Sequence, residues 1–340
     1  MTFRVLLLPF SWIFGSIAFL RNKCFDLGIF KSWKIPVKSI CVGNLSTGGT
    51  GKTPHVAYLA ETLSTNNKVA ILSRGYGRKT SGFIVVKEHH KAFEVGDEPL
   101  LYKKKFGQHI VVAVSENRKL GIQALLDQYP DITLILLDDA FQHRKVSAGV
   151  NILLTPYEKP FSSDLLLPAG NLREGQYGRH RADLIVVTKC PQASETDTKK
   201  WSQRLKFDEE KLHFSEISYG QPLPFGQVKS DFNQVLLITG IADPTPMVNY
   251  LETSYEVTLL SFSDHHQFTS KDIQKIHRKF DTFAPEKAII LTTEKDFMRL
   301  IEHSDDWKLN EYPWYYLPIS VKVKNEEQFL KTVQTYVDSI

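Results

Sequence analysis

Short runs of valine, isoleucine and leucine alternate with amphipathic stretches along most of the chain. The apolar runs predict strands at 39–42, 69–72, 84–86, 110–114, 132–137, 151–154, 184–188, 235–239, 257–260, 288–291 and 314–318. The stretches between them predict helices near 53–65, 97–106, 116–128, 194–206, 244–253, 270–281, 294–302 and 325–338. Because continuous apolar strands separated by helices are typical of parallel sheets covered on both faces, the predicted fold class is α/β.

One turn-rich segment interrupts this alternation of strands and helices. Residues 219–231 (YGQPLPFGQVKSD) contain two prolines and two glycines, and a new strand–helix series follows them. Turn-forming residues of this kind mark a domain boundary. The predicted division is an N-terminal helical segment at 1–35, a first lobe at 36–225 and a smaller α/β lobe at 226–340.

The N-terminal apolar run, residues 5–20, carries no charge and is followed by several cations, with one acid among them. As a helix it would be about 24 Å long, which is shorter than the roughly 30 Å hydrocarbon core of a bilayer. Aromatic side chains flanked by cations suit a helix that lies in the interface of an anionic leaflet. A buried core helix is equally compatible with these residues alone.

Composition narrows the class of protein. The 340 residues suit about two domains, and 24% charged with 42% hydrophobic residues is ordinary for a folded soluble chain. These values exclude a disordered, a collagenous or a multi-span membrane protein. The net charge of +4 is too mild to indicate a nucleic-acid binder. Three widely spaced cysteines indicate neither a disulfide framework nor a zinc site.

A glycine-rich loop follows the first predicted strand. Residues 43–53 read GNLSTGGTGKT, and a proline comes next, in the first turn of the predicted helix. Glycines let backbone N–H groups face phosphate oxygens, and a helix N-terminus favours anions. Ser46 departs from the G-x-x-x-x-G-K-[ST] pattern, which has glycine there. The residues predicted to bind the nucleotide are Ser46, Thr47, Gly48, Gly49, Thr50, Gly51, Lys52 and Thr53, with Lys52 on the phosphates and the Thr53 hydroxyl on Mg²⁺.

Two acids, Asp138 and Asp139, follow the predicted strand 132–137. An acid in this position beside a phosphate loop holds Mg²⁺ directly or through water. A helix N-cap is the common alternative for such acids, but together with the loop they favour binding of ATP and Mg²⁺. Adenine is favoured over guanine, because the TKCP at 188–191 and the TEKD at 293–296 both depart from an NKxD motif.

Seven further stretches are specific enough to compare with known families. They are VGNLSTGGTGKTP at 42–54, SRGYGR at 73–78, GDEP at 96–99, LLDDAFQHR at 136–144, LPAGNLREG at 167–175, SDHHQF at 263–268 and TTEKD at 292–296. Together they resemble the tetraacyldisaccharide 4′-kinases, the lipid A 4′-kinases of Gram-negative bacteria. The resemblance runs from the N-terminal apolar segment to Asp296, and Ser46 fits it because this family also carries Ser or Thr there.

The resemblance implies a kinase that transfers the γ-phosphate of ATP, with Mg²⁺, to the 4′-hydroxyl of a tetraacyldisaccharide 1-phosphate. It implies two α/β/α lobes, the first with a P-loop NTPase-type parallel sheet, and an active site between them. Residues 1–35 would form a membrane-associated helical segment on the cytoplasmic face of the inner membrane. The expected partners are the lipid substrate and the anionic membrane surface, with no nucleic acid and no obligate protein partner.

The resemblance also assigns roles to single side chains. Asp97 of GDEP would activate the 4′-hydroxyl together with His265 of DHH, and Lys52 completes the catalytic set. The residues expected near Mg²⁺ and the phosphates are Thr53, Asp138, Asp139, Gln142 and Glu174. The residues expected to meet the sugar or a phosphate of the substrate are Arg74, Tyr76, Arg78, Asn171 and Arg173. Arg118 is a further candidate for charge stabilisation, and Asp264 and His266 are candidates for orienting His265.

Two other functions compete with this interpretation. A P-loop NTPase switch coupled to a partner protein would hydrolyse ATP or GTP slowly without a sugar acceptor. A soluble small-molecule kinase would share the chemistry, but it would keep its activity on membrane substrate after removal of residues 1–20.

Overall fold

The computed structural model describes residue 4 and residues 6–191, 197–264, 266–284 and 286–338, and it has a mixed α/β architecture. The α-helices are α1 (Leu8–Asp26), α2 (Lys52–Leu63), α3 (Ala92–Val95), α4 (Asp97–Phe106), α5 (Arg118–Gln128), α6 (Thr198–Leu205), α7 (Thr245–Leu251), α8 (Ser270–Phe280), α9 (Glu294–Leu300) and α10 (Glu326–Asp338). Each matches a predicted helix or the N-terminal apolar run, except the single turn α3. The start of the predicted helix 194–206 lies outside the described residues.

The strands form two main sheets. They are β1 (Trp33–Lys34), β2 (Lys38–Asn44), β3 (Val69–Ser73), β4 (Ile84–Val85), β5 (Val111–Val114), β6 (Leu134–Asp138), β7 (Val146–Ser147), β8 (Val150–Pro156), β9 (Leu184–Thr188), β10 (Leu212–Tyr219), β11 (Leu223–Pro224), β12 (Gln234–Thr239), β13 (Glu256–Ser261), β14 (Ala288–Thr293), β15 (Trp314–Leu317) and β16 (Ile319–Val323). β1 and β7 pair separately as a short two-stranded sheet.

The first lobe is built on a nine-stranded sheet in the order β16-β10-β9-β8-β2-β6-β3-β5-β4. Its strands from β10 to β5 run parallel, and β16 and β4 are antiparallel edge strands. Every residue of β3, β6 and β9 is buried, as expected for a parallel sheet covered on both faces. β2 lies between β6 and β8, so the glycine-rich loop after β2 and the acids after β6 meet at one edge of the sheet.

The second lobe has a five-stranded sheet in the order β11-β15-β14-β12-β13, with β11 antiparallel at one edge. Helix α9 follows β14 in this lobe and faces the first one. Its Phe297 and Met298 are buried in the core of the first lobe, so α9 joins the two lobes.

The C-terminal end of the chain differs from the predicted division at residue 226. β16 pairs with β10 from Ser215–Val323 to Tyr219–Ile319, and α10 buries Phe329, Val333 and Val337 against the first lobe. The second sheet therefore ends at β15, and the chain then returns to the first lobe. Neither β10 nor β16 was predicted, because their sequences LHFSEISY and ISVKV mix polar and apolar residues rather than forming a continuous apolar run.

Helix α1 turns most of its large apolar side chains outward. Trp12 is 70% exposed and Ile17 is 63% exposed. Its buried residues are polar, Ser11 and Asn22, and the Ser11 hydroxyl donates to the carbonyl of Leu166 at 2.9 Å. A helix buried in a protein core would instead turn its apolar side chains inward and its polar ones outward. Among the described residues, no helix is both long enough and apolar enough to cross a membrane.

Candidate active site

The glycine-rich loop joins β2 to α2, and side chains of β2 and β9 hydrogen-bond to it. Gly48 (φ 101°) and Gly51 (φ 87°) occupy the left-handed backbone region, which strains other residues. The Asn44 side chain donates to Thr50 Oγ1 at 2.8 Å, and the Thr188 hydroxyl donates to the Thr50 carbonyl at 2.9 Å. The loop and the first turn of α2 thus present backbone N–H groups in the manner that binds phosphate.

Two cations and a carboxylate meet beside this loop. Lys52 begins α2, and its Nζ lies 3.8 Å from Asp139 Oδ1. Arg173 Nη1 lies 3.0 Å from both oxygens of Asp139. Lysine and arginine are the side chains that bind phosphate oxygens with charge-assisted hydrogen bonds. Asp139 therefore holds both cations at the place where phosphates would enter.

Asp138 is the unusual group of the site. It is fully buried, and neither carboxylate oxygen has a hydrogen-bond partner among the described residues. Burial, followed by the charges of Glu98 and Asp139, raises the pKa of its carboxyl. Burial and the charge of Asp138 also raise the pKa of the Tyr102 hydroxyl, and an interaction with the Thr53 side chain lowers it, so Thr53 lies at the same place. An unpaired buried carboxylate beside a hydroxyl suits a hard divalent cation.

Arg118, a candidate for charge stabilisation, lies behind Asp138, and its charge lowers the pKa of that carboxyl against the effect of burial. Arg118 is buried, and it donates from Nη1 to the Ser115 carbonyl at 2.6 Å and from Nη2 to the Asp138 carbonyl at 3.1 Å. These contacts hold the carboxyl end of β6, so Arg118 supports Asp138 through the backbone.

Glu174 is buried where three segments meet. Arg181 donates to its two oxygens at 2.7 and 2.8 Å, Asn22 of α1 donates at 2.7 Å and Gln142 donates at 2.9 Å. The Gln142 amide also donates to the carbonyl of Asn44 at 2.8 Å. Both carboxylate oxygens are engaged, so Glu174 and Gln142 link α1 to the phosphate loop. The metal role expected from the sequence would require Glu174 to release these donors, whereas the buried Oε1 of Gln142 has no hydrogen-bond partner among the described residues.

Asp97, at the start of α4, faces the second lobe. Arg299 of α9 donates to its Oδ2 from Nε at 2.9 Å and also from Nη2. The neighbouring Glu98 lies 3.4 Å from the Nζ of Lys295 on the same helix. The GDEP motif of the first lobe thus meets the helix that starts in TTEKD.

His265, the expected partner of Asp97, lies outside the described residues. The next residue, His266, lies with Nε2 3.1 Å from Asp272 Oδ2 and stacks on Phe262. Its side chain therefore supports the start of α8. Its backbone carbonyl accepts from Arg299 at 3.3 Å, which brings the DHH segment to the helix that contacts Asp97. Asp264 is exposed.

The SRGYGR turn packs directly on the GDEP motif. A Cβ atom on Gly96 would lie 3.1 Å from the Cα of Gly75, and Gly96 has a φ of 94°. This close approach of two glycines brings the turn beside Asp97. Arg74 and Tyr76 of the turn are exposed, Tyr76 to 71%.

The other two residues expected at the substrate are engaged in their own turns. Arg78 pairs with Glu116 at 2.6 Å and donates to the Gly82 carbonyl at 2.7 Å. The Asn171 side chain donates to Asp164 at 3.0 Å. Both therefore stabilise local structure in this state.

Four residues of the site were missed from the sequence: Asn22, Glu98, Tyr102 and Arg299. Arg299 carried a signal, because it follows Asp296 by three residues and so shares its helix face. Within the described ranges, no group of three or more His, Cys, Asp and Glu side chains is placed to hold a metal ion. A cation at Asp138 would therefore take further ligands from Thr53 and from phosphates.

Comparisons with known proteins agree along the whole chain. The model of the tetraacyldisaccharide-1-P 4′-kinase family matches residues 3–338. The tetraacyldisaccharide 4′-kinase of Flavobacterium psychrophilum is 44% identical, covering 99% of this chain and 97% of that protein. The enzyme of the same name from Bacteroides thetaiotaomicron is 42% identical, covering 95% of this chain and 90% of that protein.

A solved structure is similar as well. The crystal structure of LpxK from Aquifex aeolicus in complex with ATP matches with a TM-score of 0.76 and 33% sequence identity. The match covers 98% of this chain and 99% of that one.

Proposed function

The chain belongs to the tetraacyldisaccharide-1-P 4′-kinase family, and we propose that it transfers the γ-phosphate of ATP to the 4′-hydroxyl of a tetraacyldisaccharide 1-phosphate. The product is the 4′-phosphorylated lipid A precursor. The observation that carries this proposal is the meeting of the phosphate loop, Lys52 and the unpaired Asp138 at one sheet edge, beside Asp97. The names of the relatives and the ATP in the similar structure support it.

The nucleotide phosphates bind in the loop after β2, which is of the P-loop NTPase type. The loop at residues 46–53 surrounds the phosphates, and Lys52 binds their oxygens from the start of α2. Arg173 adds a second cation at the same place. Since ATP brings negative charge, Lys52 and Arg173 turn from Asp139 toward the phosphates when it binds.

Mg²⁺ fits the residues beside the loop. Asp138 and the Thr53 hydroxyl would hold it, while Asp139 orients the two cations. When bound, Mg²⁺ neutralises charge on the phosphate oxygens. Glu174 stays outside this set, because both of its oxygens already accept hydrogen bonds, whereas the buried Oε1 of Gln142 has no partner among the described residues and suits a cation.

Asp97 accepts the proton of the acceptor hydroxyl. The 4′-oxygen forms a bond to the γ-phosphorus, the bond between that phosphorus and the bridging oxygen breaks, and ADP leaves. The proton of the hydroxyl passes to Asp97, and His265 orients that carboxylate. Arg74 and Tyr76, on the turn beside Asp97, are placed to contact the disaccharide or its 1-phosphate.

Helix α1 binds the membrane surface on the cytoplasmic face of the inner membrane, where the acylated substrate lies. Its exposed apolar side chains include Phe10, Trp12, Ile13, Ile17 and Leu20. Cations follow directly at Arg21 and Lys23, as suits a helix in the interface of an anionic leaflet. Ser11 and Asn22, on the opposite side, keep it attached to the first lobe.

A transfer assay tests the function. The protein is incubated in mixed micelles with tetraacyldisaccharide 1-phosphate and ATP labelled in the γ-phosphate. We expect one labelled phosphate per ADP formed, on the lipid, and stable to mild acid that removes the anomeric 1-phosphate. ATP hydrolysis that leaves the lipid unlabelled would contradict the proposal and favour an NTPase switch.

A further inference from the structure

We infer that Arg299 is a positioning residue for this phosphate transfer, which orients the carboxylate of Asp97 and ties it to the DHH segment of the second lobe. The inference rests on the proposed function, because Asp97 accepts a proton only if the protein is this kinase. Arg299 lies on the helix that begins within TTEKD. The proposed reaction otherwise uses residues of the phosphate loop, GDEP and DHH.

The contact with Asp97 is made by two donors on one oxygen. Nε of Arg299 lies 2.9 Å from Asp97 Oδ2, and Nη2 donates to the same atom. The Arg299 side chain is 3% exposed and that of Asp97 is 13% exposed. Water therefore competes little for this ion pair, which joins α4 of the first lobe to α9 of the second.

Arg299 is also bound by a carboxylate of its own lobe. Its Nη1 lies 3.1 Å from Asp296 Oδ1, and Asp296 is fully buried. The other oxygen of Asp296 accepts from the backbone of Gly240 and from the Thr293 hydroxyl, each at 2.8 Å. Asp296 thus connects the guanidinium of Arg299 to the end of the second sheet, while the same guanidinium contacts Asp97.

The same guanidinium reaches the DHH segment. Nη1 of Arg299 donates to the carbonyl of His266, the residue after His265, at 3.3 Å. Arg299 therefore contacts the Asp97 carboxylate and the backbone of the segment that carries the proposed partner of Asp97. This is the observation that separates it from an ordinary ion pair between lobes.

Arginine suits this task for two reasons. Its planar guanidinium offers donors in fixed directions, so two bonds to Oδ2 fix the position of that oxygen. Its positive charge also attracts the carboxylate, which strengthens both hydrogen bonds.

The alternative role is a clamp that only holds the lobes together. The chain offers a matched control, because Lys295 of the same helix pairs with Glu98 of α4 at 3.4 Å. Lys295→Ala removes an ion pair between the same two helices and leaves the Asp97 contact in place.

The test compares kcat and the KM for ATP in Arg299→Ala, Arg299→Lys, Lys295→Ala and Asp97→Asn, and in the double variants of Asp97→Asn with each Arg299 change. Misplacement of a reacting group costs up to about 10²-fold, so we expect Arg299→Ala to lower kcat about 10- to 100-fold with the KM for ATP within about twofold. Arg299→Lys should be intermediate, and Lys295→Ala should stay within about threefold of wild type. In the Asp97→Asn background each Arg299 change should cost less than about threefold, because Arg299 acts through Asp97.

Three results would overturn the inference. The first is a kcat of Arg299→Ala near that of wild type, and the second is an equal fold-loss of kcat from Arg299→Ala in the wild-type and the Asp97→Asn backgrounds. The third is a fold-loss of kcat in Lys295→Ala as large as that in Arg299→Ala. Cooperative thermal unfolding confirms that each variant is folded. If Arg299→Ala does not fold, the cycle of Arg299→Lys with Asp97→Asn decides by the same criteria. A wild-type protein that transfers no phosphate to the lipid removes the proposed function and the inference together, whereas an active wild type with an unaffected Arg299 variant removes the inference alone.

Discussion

Replacing Asp138 with asparagine should stabilise the protein in the absence of metal and remove its kinase activity. Asp138 is fully buried, and its oxygens have no partners among the described residues. Burial, with the charges of Glu98 and Asp139, raises the pKa of this carboxyl, which means that the folded state disfavours its anion. Asparagine has nearly the same shape without the charge, so the variant relieves that cost and loses the cation site.

The sign of the pH dependence follows from the raised pKa. Since the folded state holds the proton more tightly than the unfolded chain, the contribution of Asp138 to stability is fully present below about pH 4. It is lost as the pH rises through the raised pKa of the folded state. An unsatisfied buried polar group costs about 1–3 kcal/mol and more when it is charged, and Asp138→Asn removes only the part due to the charge, so we expect a gain of about 1–3 kcal/mol at pH 8. For domains of this size, that is about 2–4 °C in Tm for each kcal/mol.

The assay is thermal unfolding of wild type and Asp138→Asn between pH 5 and pH 8 with EDTA, repeated with ATP and Mg²⁺. The advantage of the variant should grow with pH in EDTA, and the nucleotide with Mg²⁺ should stabilise wild type more than the variant. Asp139→Asn is the matched control, because it is paired with Lys52 and Arg173 and should gain no stability when its charge is removed. A variant that is less stable than wild type at every pH, by a constant amount, would refute the reasoning.

Three further predictions follow from the same site. Lys52→Ala should abolish transfer while the Tm stays within a few degrees of wild type, because Lys52 is not part of a core; near wild-type kcat with normal ATP affinity would contradict the P-loop assignment. Deletion of residues 1–20 should move the protein from the membrane fraction to the soluble fraction and weaken its use of micellar substrate; unchanged sedimentation and activity would show that α1 is not the anchor. Asp97→Ala and His265→Ala should each lower kcat by about 10²–10⁴-fold, with little change in the KM for ATP. Because groups that act as a unit are not additive, the double variant should lose less than the product of the two, and fully multiplicative losses would show independent roles.

Most of the elements could be predicted, because their cause is local. Continuous apolar runs such as 184–188 and 235–239 are the strands β9 and β12. The exceptions include the inner strand β10 and the edge strand β16, whose mixed polar and apolar patterns hide their pairing with each other. The return of the chain to that sheet follows from pairing across about a hundred residues, which no local pattern records.

The candidate site divides in the same way. The loop at 46–53 and the acids at 138–139 were identified from residue types in sequence order, and adjacency of β2 and β6 brings them together as expected. The engagement of Glu174 by Arg181, Asn22 and Gln142 could not be anticipated. Each of these donors comes from a different part of the chain, and a hydrogen bond depends on distances that only packing sets.

By itself, the sequence determined the α/β class, the phosphate loop and the family, because short-range periodicity and motif spacing are properties of neighbouring residues. The tertiary structure alone decided that Asp138 is a buried carboxylate without a hydrogen-bond partner among the described residues, and that α1 exposes most of its large apolar side chains while it buries Ser11 and Asn22. It also decided that Arg299 reaches Asp97 from the other lobe, 202 residues away along the chain. Burial, pKa and ion pairing depend on which groups share a low-dielectric space, and that is set when the lobes pack together.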